Sequence, residues 1–225
     1  MKTFRFPPLR RSLAHALLAG AMASSLLTMA DPAQAVPDES FKAAFDRFRQ
    51  AAGGDVSAVD SASDAFNALL KAEPGNPVLM AYVGASTSMR ARTTAMQWKK
   101  LAFAEDGLAQ IDKALAVAAN TPELPSHRGT PGLLELKFVS ASAMLAMPGF
   151  MNRGARGARL LGEVIESPVF ASAPVGFRGQ VLLRAGELAI EKKQAPDARH
   201  FLGEVVSLNA PQADAARTKL REVAP

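Results

Sequence analysis

The sequence predicts an all-α protein made of successive antiparallel helical hairpins, and three observations predict it. Ala and Leu dominate the 225 residues, aromatics are only 6%, and no run alternates Val, Ile or Thr with polar residues as a half-buried strand would. Apolar residues instead recur at spacings of three and four, one face of a helix with 3.6 residues per turn. Pro and Gly fall mainly between these periodic segments, where they end helices rather than interrupt them.

The elements follow in order. Phe41, Ala44, Phe45 and Phe48 line a first amphipathic helix, which Gly53-Gly54 breaks. Asp55 is placed to cap a second helix carrying Val59, Ala62, Phe66, Leu69 and Leu70, and Pro74-Gly75 ends it. Asn76 before Pro77 is an N-cap with proline at the first helical position. Leu79, Met80, Val83 and Thr87 then line a third helix. A fourth runs from about Thr94 to Ala119 through Leu101, Ala104, Leu108, Ile111 and Leu115. Thr121 to Thr130 reads either as a break between two halves or as a looser extension of the stack. A fifth helix opens at Thr130-Pro131, passes Leu134, Phe138, Ala141 and Leu145, and stops at Pro148-Gly149. The sixth spans about Arg153 to Glu166 with Leu160, Leu161, Val164 and Ile165. Phe177, Val181, Leu182, Leu188 and Ala189 mark the seventh, and Ala198, Phe201, Leu202, Val205 and Val206 the eighth. Pro211 opens a short last helix with Leu220. About nine helices with short connections pair as antiparallel neighbours.

Self-similarity sharpens this picture. Small Gly186 is flanked by Leu182 and Ala189. Ala198 lies twelve residues on, followed by Leu202 and Val205, with Ala210 and Pro211 closing the unit. Small residues at Gly186 and Ala198 let two helices approach, and the larger ones fill the groove to the next hairpin. This segment resembles a tetratricopeptide repeat. Ala62, Phe66, Leu69 and Pro74 match part of another, and Met80, Val83 and Gly84 begin a third. There the second-helix pattern of Gly107, Ile111 and Ala114 arrives 23 residues after Gly84 rather than 12. That hairpin therefore needs longer helices or a larger loop. The runs Tyr82-Val83-Gly84, Lys99-Lys100-Leu101, Asp112-Lys113-Ala114 and Met147-Pro148-Gly149-Phe150 also look like those of uncharacterised exported bacterial helical-repeat proteins. The resemblance implies stacked hairpins, a tetratricopeptide-like α-solenoid with an irregular middle, and no assigned activity.

The N-terminus reads as an export signal. Lys2, Arg5, Arg10 and Arg11 precede an apolar stretch, Ser12 to Ala30, and Ala33-Gln34-Ala35 gives the small-x-small pattern that signal peptidase accepts. The domain expectation is thus a cleaved leader over 1–35 and a helical domain over 36–225, starting at Val36. Leu9-Arg10-Arg11-Ser12-Leu13 hints at the twin-arginine route. The expected compartment is the bacterial periplasm, with no membrane span left after cleavage. The chain carries net +5, but four of its 26 basic and one of its 21 acidic residues lie in the leader, leaving net +2. So mild a charge does not argue for nucleic acid.

Chemistry-bearing residues are few. The absence of cysteine excludes a disulfide framework, a thiol nucleophile and thiolate metal sites. Outside the leader, histidine is limited to His127, expected solvated in a loop, and His200, expected to face outward. The pairs Glu105-Asp106 and Glu163/Glu166 read as solvated helix edges, and no phosphate-loop, dinucleotide, nucleophile-elbow or zinc-protease motif occurs. Arg153, Arg156 and Arg159 are expected to pair with Glu163 and Glu166. Trp98 is expected buried against Met89 or Phe103, or else exposed as an anchor for a partner. Met144 to Met151 is read as a cover over the core.

These readings predict a binding protein, not an enzyme, with no cofactor and no metal. The expected role is an envelope adaptor or scaffold that binds a protein or peptide through Arg90, Arg92, Trp98, Lys99 and Lys100. The alternative is a carrier of a small apolar ligand or lipid, with a pocket near Phe138, Met144 and Phe150.

Overall fold

The periodic segments form helices where the sequence places them. The computed structural model describes residues 36–121 and 123–223, so the leader expectation for residues 1–35 lies outside the described residues. Nine α-helices are described: α1 (Asp38–Ala52), α2 (Ala58–Ala72), α3 (Pro77–Met89), α4 (Gln97–Ala118), α5 (Gly132–Leu145), α6 (Gly154–Ile165), α7 (Val175–Glu191), α8 (Ala195–Ser207) and α9 (Ala213–Glu222). Two short 3₁₀ turns, Arg90–Arg92 and Gly149–Met151, follow α3 and α5. Among the described residues the only strand-like pairing is an isolated antiparallel bridge between His127 and Thr130.

Local signals act as expected, with small shifts. Asn76 Oδ1 accepts from the backbone N–H groups of Val78 (2.9 Å) and Leu79 (3.3 Å), and Pro77 takes the first position of α3. Asp55 Oδ1 accepts from the Ser57 N–H at 2.9 Å, but α2 proper begins only at Ala58. Asp38 and Glu39 in the first turn of α1, and Arg49 in its last, complement the helix dipole.

Each helix packs on the next, and α1 also meets α3, α3 meets α5, and α7 meets α9. The tightest crossing joins α3 to α4. A Cβ on Gly84 would sit 2.6 Å from the Gly107 carbonyl oxygen, and one on Gly107 would sit 2.5 Å from that of Gly84. Only glycine at both positions lets the two backbones touch. The α5–α6 and α7–α8 pairs close the same way on single glycines, Gly157 against Ala141 and Leu145, and Gly186 against Leu202. The 23-residue spacing is met by both means that the sequence allows. The second helix, α4, is 22 residues long, and a 3₁₀ turn and a short loop precede it.

Two expectations about burial change. First, α3 is not amphipathic. Val78, Leu79, Met80, Ala81, Tyr82 and Val83 are all buried, while Thr87 is half-buried. A helix apolar on every side belongs inside the molecule, and α1, α2, α4 and α5 all pack on it. Second, the 121–131 segment neither separates two halves nor trails along the stack. It anchors on the core through His127 and Thr130, both buried, while Glu123, Pro125, Ser126 and Gly129 stay exposed. The main apolar cluster runs from Val36 to α7, and a second gathers around Leu182, Leu202 and Val205 between α7, α8 and α9.

Candidate functional site

Two places concentrate unusual features, a buried polar cluster beneath α1 and an apolar cavity beside it. The cluster starts from the His127–Thr130 turn. Arg128 and Gly129 both have positive φ (55° and 72°), and Thr130 N–H donates to the His127 carbonyl at 2.9 Å. A bulky residue with positive φ is strained by about 1–3 kcal/mol and persists only where its surroundings hold it. Here they do. Arg128 Nη2 donates to Glu135 Oε1 at 2.6 Å, its guanidinium lies 3.5 Å from the centre of the Phe45 ring, and its backbone N–H donates to Asp38 Oδ1 at 3.3 Å.

Glu135, on the first turn of α5, is 1% exposed. Its Oε1 also accepts the Tyr82 hydroxyl at 2.7 Å, which joins α3, α5 and the turn in one network. Burial pushes the Glu135 carboxyl above its ordinary range, and the Arg128 charge and the Tyr82 hydroxyl pull it back. Burial, reinforced by the Glu135 charge, raises the Tyr82 phenol well above its usual value. The Tyr82 ring stacks on Phe66 at 4.3 Å and meets Phe41, Phe45 and Phe48 edge-on.

His127 corrects an expectation. It is 3% exposed rather than solvated, stacks on Phe41 at 4.1 Å, and holds Nδ1 3.9 Å from Asp38 Oδ1. Burial lowers its pKa, against the pull of Glu73 and Asp38. His200, as expected, is exposed on α8, near Glu204. Sequence reasoning missed Tyr82, Arg128 and Glu135 as a unit because Tyr82 lies 53 residues from Glu135 and the turn at Arg128 carries no motif. The one local hint was an acid, Glu135, between Leu134 and Leu136 near the start of a mostly apolar helix.

The cavity holds about 780 Å³ and lies between α1, α3, α4, α5 and the two 3₁₀ turns. From the glycine crossing α4 extends back to Gln97 while α3 ends at Met89, and Gln97, Trp98 and Leu101 at the start of α4 are exposed. Phe48, Met89, Leu101, Phe138, Met147 and Phe150 supply much of its apolar wall. Its inner end reaches Tyr82, Ala85 and Val139, which are otherwise core residues. Ser88, Ser142 and Gln97 add neutral polar groups. The charged side chains of its lining are Arg92 and Lys100, both cationic. Volume and lining both fall in the range of small-molecule sites.

The five residues expected to bind a partner divide. Arg92 and Lys100 line the cavity, and Arg92 Nη2 also donates to the Ala51 carbonyl at the end of α1 at 2.8 Å. Arg90 is drawn away, with Nε 3.0 Å from Asp60 Oδ1 and its guanidinium over the Phe103 ring. Trp98 is 68% exposed on the first turn of α4, which corrects the expected burial, and Lys99 Nζ lies 5.4 Å from its ring centre. Phe138 and Phe150 line the cavity as the carrier reading requires, but Met144 is fully buried behind it. Met144 to Met151 is therefore a cover only in part, since Phe150 is 73% exposed.

Arg153 and Arg156 do not pair with Glu163 or Glu166. Both reach Asp112 on α4, Arg153 at 3.0 Å, and so tie α6 to α4. Arg159 does pair with Glu163, at 3.7 Å, and Lys137 joins the same carboxylate at 2.8 Å. Among the described residues no group of three or more His, Asp or Glu is arranged to hold a metal ion, and no helix is long and apolar enough to cross a membrane. Comparison with known proteins finds no matching family model, no matching curated protein and no matching solved structure.

Proposed function

We propose that this is an exported binding protein, non-catalytic, that holds an amphipathic small molecule with an apolar body and an acidic end in the cavity between α3, α4 and α5. The observation that carries this reading is a deep apolar cavity whose charged lining is cationic only, Arg92 and Lys100. The apolar body would replace water along Phe138, Val139 and Ala85. Its acidic end would meet Lys100 and the part of Arg92 not bonded to Ala51. The helices act as a scaffold of tetratricopeptide type. The serial packing of α1 to α9 and the glycine-closed hairpins support that scaffold. The leader of residues 1–35 would deliver the protein to the periplasm.

Titration with a fluorescent long-chain fatty acid tests the reading. Saturable binding is expected, weakened about tenfold by Lys100→Glu, which converts to about 1.4 kcal/mol. Ala104→Phe, which fills the cavity from α4, should abolish it. Binding that is absent, or indifferent to both changes, would sink the proposal. A second reading, a protein adaptor in the cell envelope, is favoured by Trp98 standing out beside exposed Met96. In-cell crosslinking that captures one defined partner, and loses it on Trp98→Ala, would support that reading instead.

A further inference from the structure

The fold offers a built receptor for one particular chain end. Val36 is 7% exposed and packs in the main core cluster, so the chain is already buried at this residue. Its backbone N–H donates to Glu73 Oε1. The other carboxylate oxygen, Glu73 Oε2, accepts from Asn76 Nδ2 at 2.7 Å. Glu73 itself is fixed by the α2–α3 turn. Its N–H donates to the Leu69 carbonyl at 3.0 Å, and its carbonyl accepts from the Asn76 N–H at 3.0 Å. The residue that caps α3 thus also orients a half-buried carboxylate towards the nitrogen of Val36.

A carboxylate that accepts from an amide N–H faces a neutral donor. The same carboxylate facing an ammonium adds the attraction of two full opposite charges to the hydrogen bond. The residues just ahead, Ala33-Gln34-Ala35, have the small-x-small pattern of a signal-peptidase site, which would leave Val36 as the new first residue. We infer that cleavage after Ala35 turns the Val36 nitrogen into an α-ammonium, and that Glu73, held by Asn76, is the site that receives it and locks the mature N-terminus into the fold. The cleavage is a peptidase-catalysed hydrolysis. Water adds across the Ala35–Val36 amide, the C–N bond breaks, and hydroxide and one proton go to the Ala35 carbonyl carbon and the Val36 nitrogen. The new carboxyl then gives up its proton, so the products are a carboxylate and an ammonium.

This inference rests on the leader reading and is independent of what fills the cavity. Among the described residues, the other charged or titratable groups of this corner are Asp38 on α1, His127 and Arg128 on the 121–131 segment, and Glu135 with its bonded Tyr82 behind Arg128. Between about pH 7 and about pH 9.5 burial keeps His127 neutral, and an α-amino group, ordinarily near 8, is the group expected to titrate there. Pairing raises its folded pKa. The stabilisation is therefore complete below the unfolded value and is lost as pH rises through the folded one.

The full chain should be expressed in an exporting bacterium, and the processed protein recovered, weighed by mass spectrometry and melted across that pH range beside Glu73→Gln. The processed mass is expected to begin at Val36. Glu73→Gln, which keeps an acceptor and a partner for Asn76, should lower Tm by about 3 °C at neutral pH, and by much less near pH 9.5. Asn76→Ser, which keeps a capping oxygen but is too short to donate to Glu73, should give a smaller loss with the same pH dependence. A mass that begins elsewhere, or that retains the leader, overturns the leader reading and the inference with it. A start at Val36 with a Glu73→Gln deficit that is absent, or unchanged by pH, overturns the docking alone.

Discussion

The α7–α8 hairpin and the corner formed by α1, α3 and the 121–131 segment are both helical, yet they are held in different ways. The hairpin rests on shape. Ala198, Leu202 and Val205 are wholly buried, and Gly186 makes room for Leu202. Every residue concerned lies on a three- or four-residue spacing, so the design is local. The corner rests on aromatic rings and polar contacts drawn from positions as far apart as Asp38 and Arg128, 90 residues. Apolar periodicity specifies a hairpin, whereas a buried polar network specifies which hairpins and segments meet.

The comparison breaks most forcefully at Glu135. Glu135→Ala leaves the Tyr82 hydroxyl without its acceptor and Arg128 without its carboxylate, next to a strained turn. A loss of about 3–5 kcal/mol is expected in denaturant unfolding, together with release of the 121–131 segment, seen as faster hydrogen exchange there. A loss below about 1 kcal/mol would mean that the rings alone hold the corner.

The glycine crossings sharpen the comparison next. Gly84→Ala drives a Cβ against the backbone of α4, which has no rotamer to change, and should cost about 2–3 kcal/mol. Gly186→Ala meets side-chain atoms alone, Cγ and Cδ2 of Leu202 at 2.7 Å, and should cost about 1 kcal/mol. Equal losses on chemical denaturation would refute the distinction between backbone-limited and side-chain-limited crossings.

The smallest effect concerns pH. Burial lowers the His127 pKa, so on acidification the unfolded chain takes the proton before the folded one. Stability from this group is present above about pH 6.5 and is lost as pH falls through the folded pKa. Glu135 acts with the opposite sign. Its raised pKa favours the fold below the ordinary carboxylate range, and that contribution is lost as pH rises through the raised value. His127→Phe, which keeps the stack on Phe41, should flatten the acid side of the His127 window and leave the Glu135 contribution in place. Melts at about pH 7 and about pH 5 check this, and an unchanged slope in the variant would show that His127 takes up its proton at the same pH in the folded and unfolded chains.

Much of the helical inventory was legible in the sequence. The Asn76-Pro77 start, the Gly53-Gly54 and Pro148-Gly149 stops and the faces of α1 and α8 follow from backbone sterics and from a period that matches helix geometry. The site was legible only in part. The cluster at residues 90–100 was singled out, yet the chain alone did not separate Arg92 and Lys100, which reach the cavity, from Arg90 and Trp98, which do not. Which cation faces which helix depends on where the α3–α4 crossing falls, and the sequence carries that only as a spacing between two glycines.

By itself, then, the sequence determined where helices begin and end, which faces are apolar, and that small residues would bring neighbouring helices together, because each of these is a local property of a few consecutive residues. The tertiary structure decided that α3 lies inside, that His127 and Glu135 are buried with Arg128 half-buried beside them, and that a cavity opens between α3, α4 and α5. Those outcomes turn on burial, and burial is set by everything that packs around a residue rather than by the residues next to it in the chain.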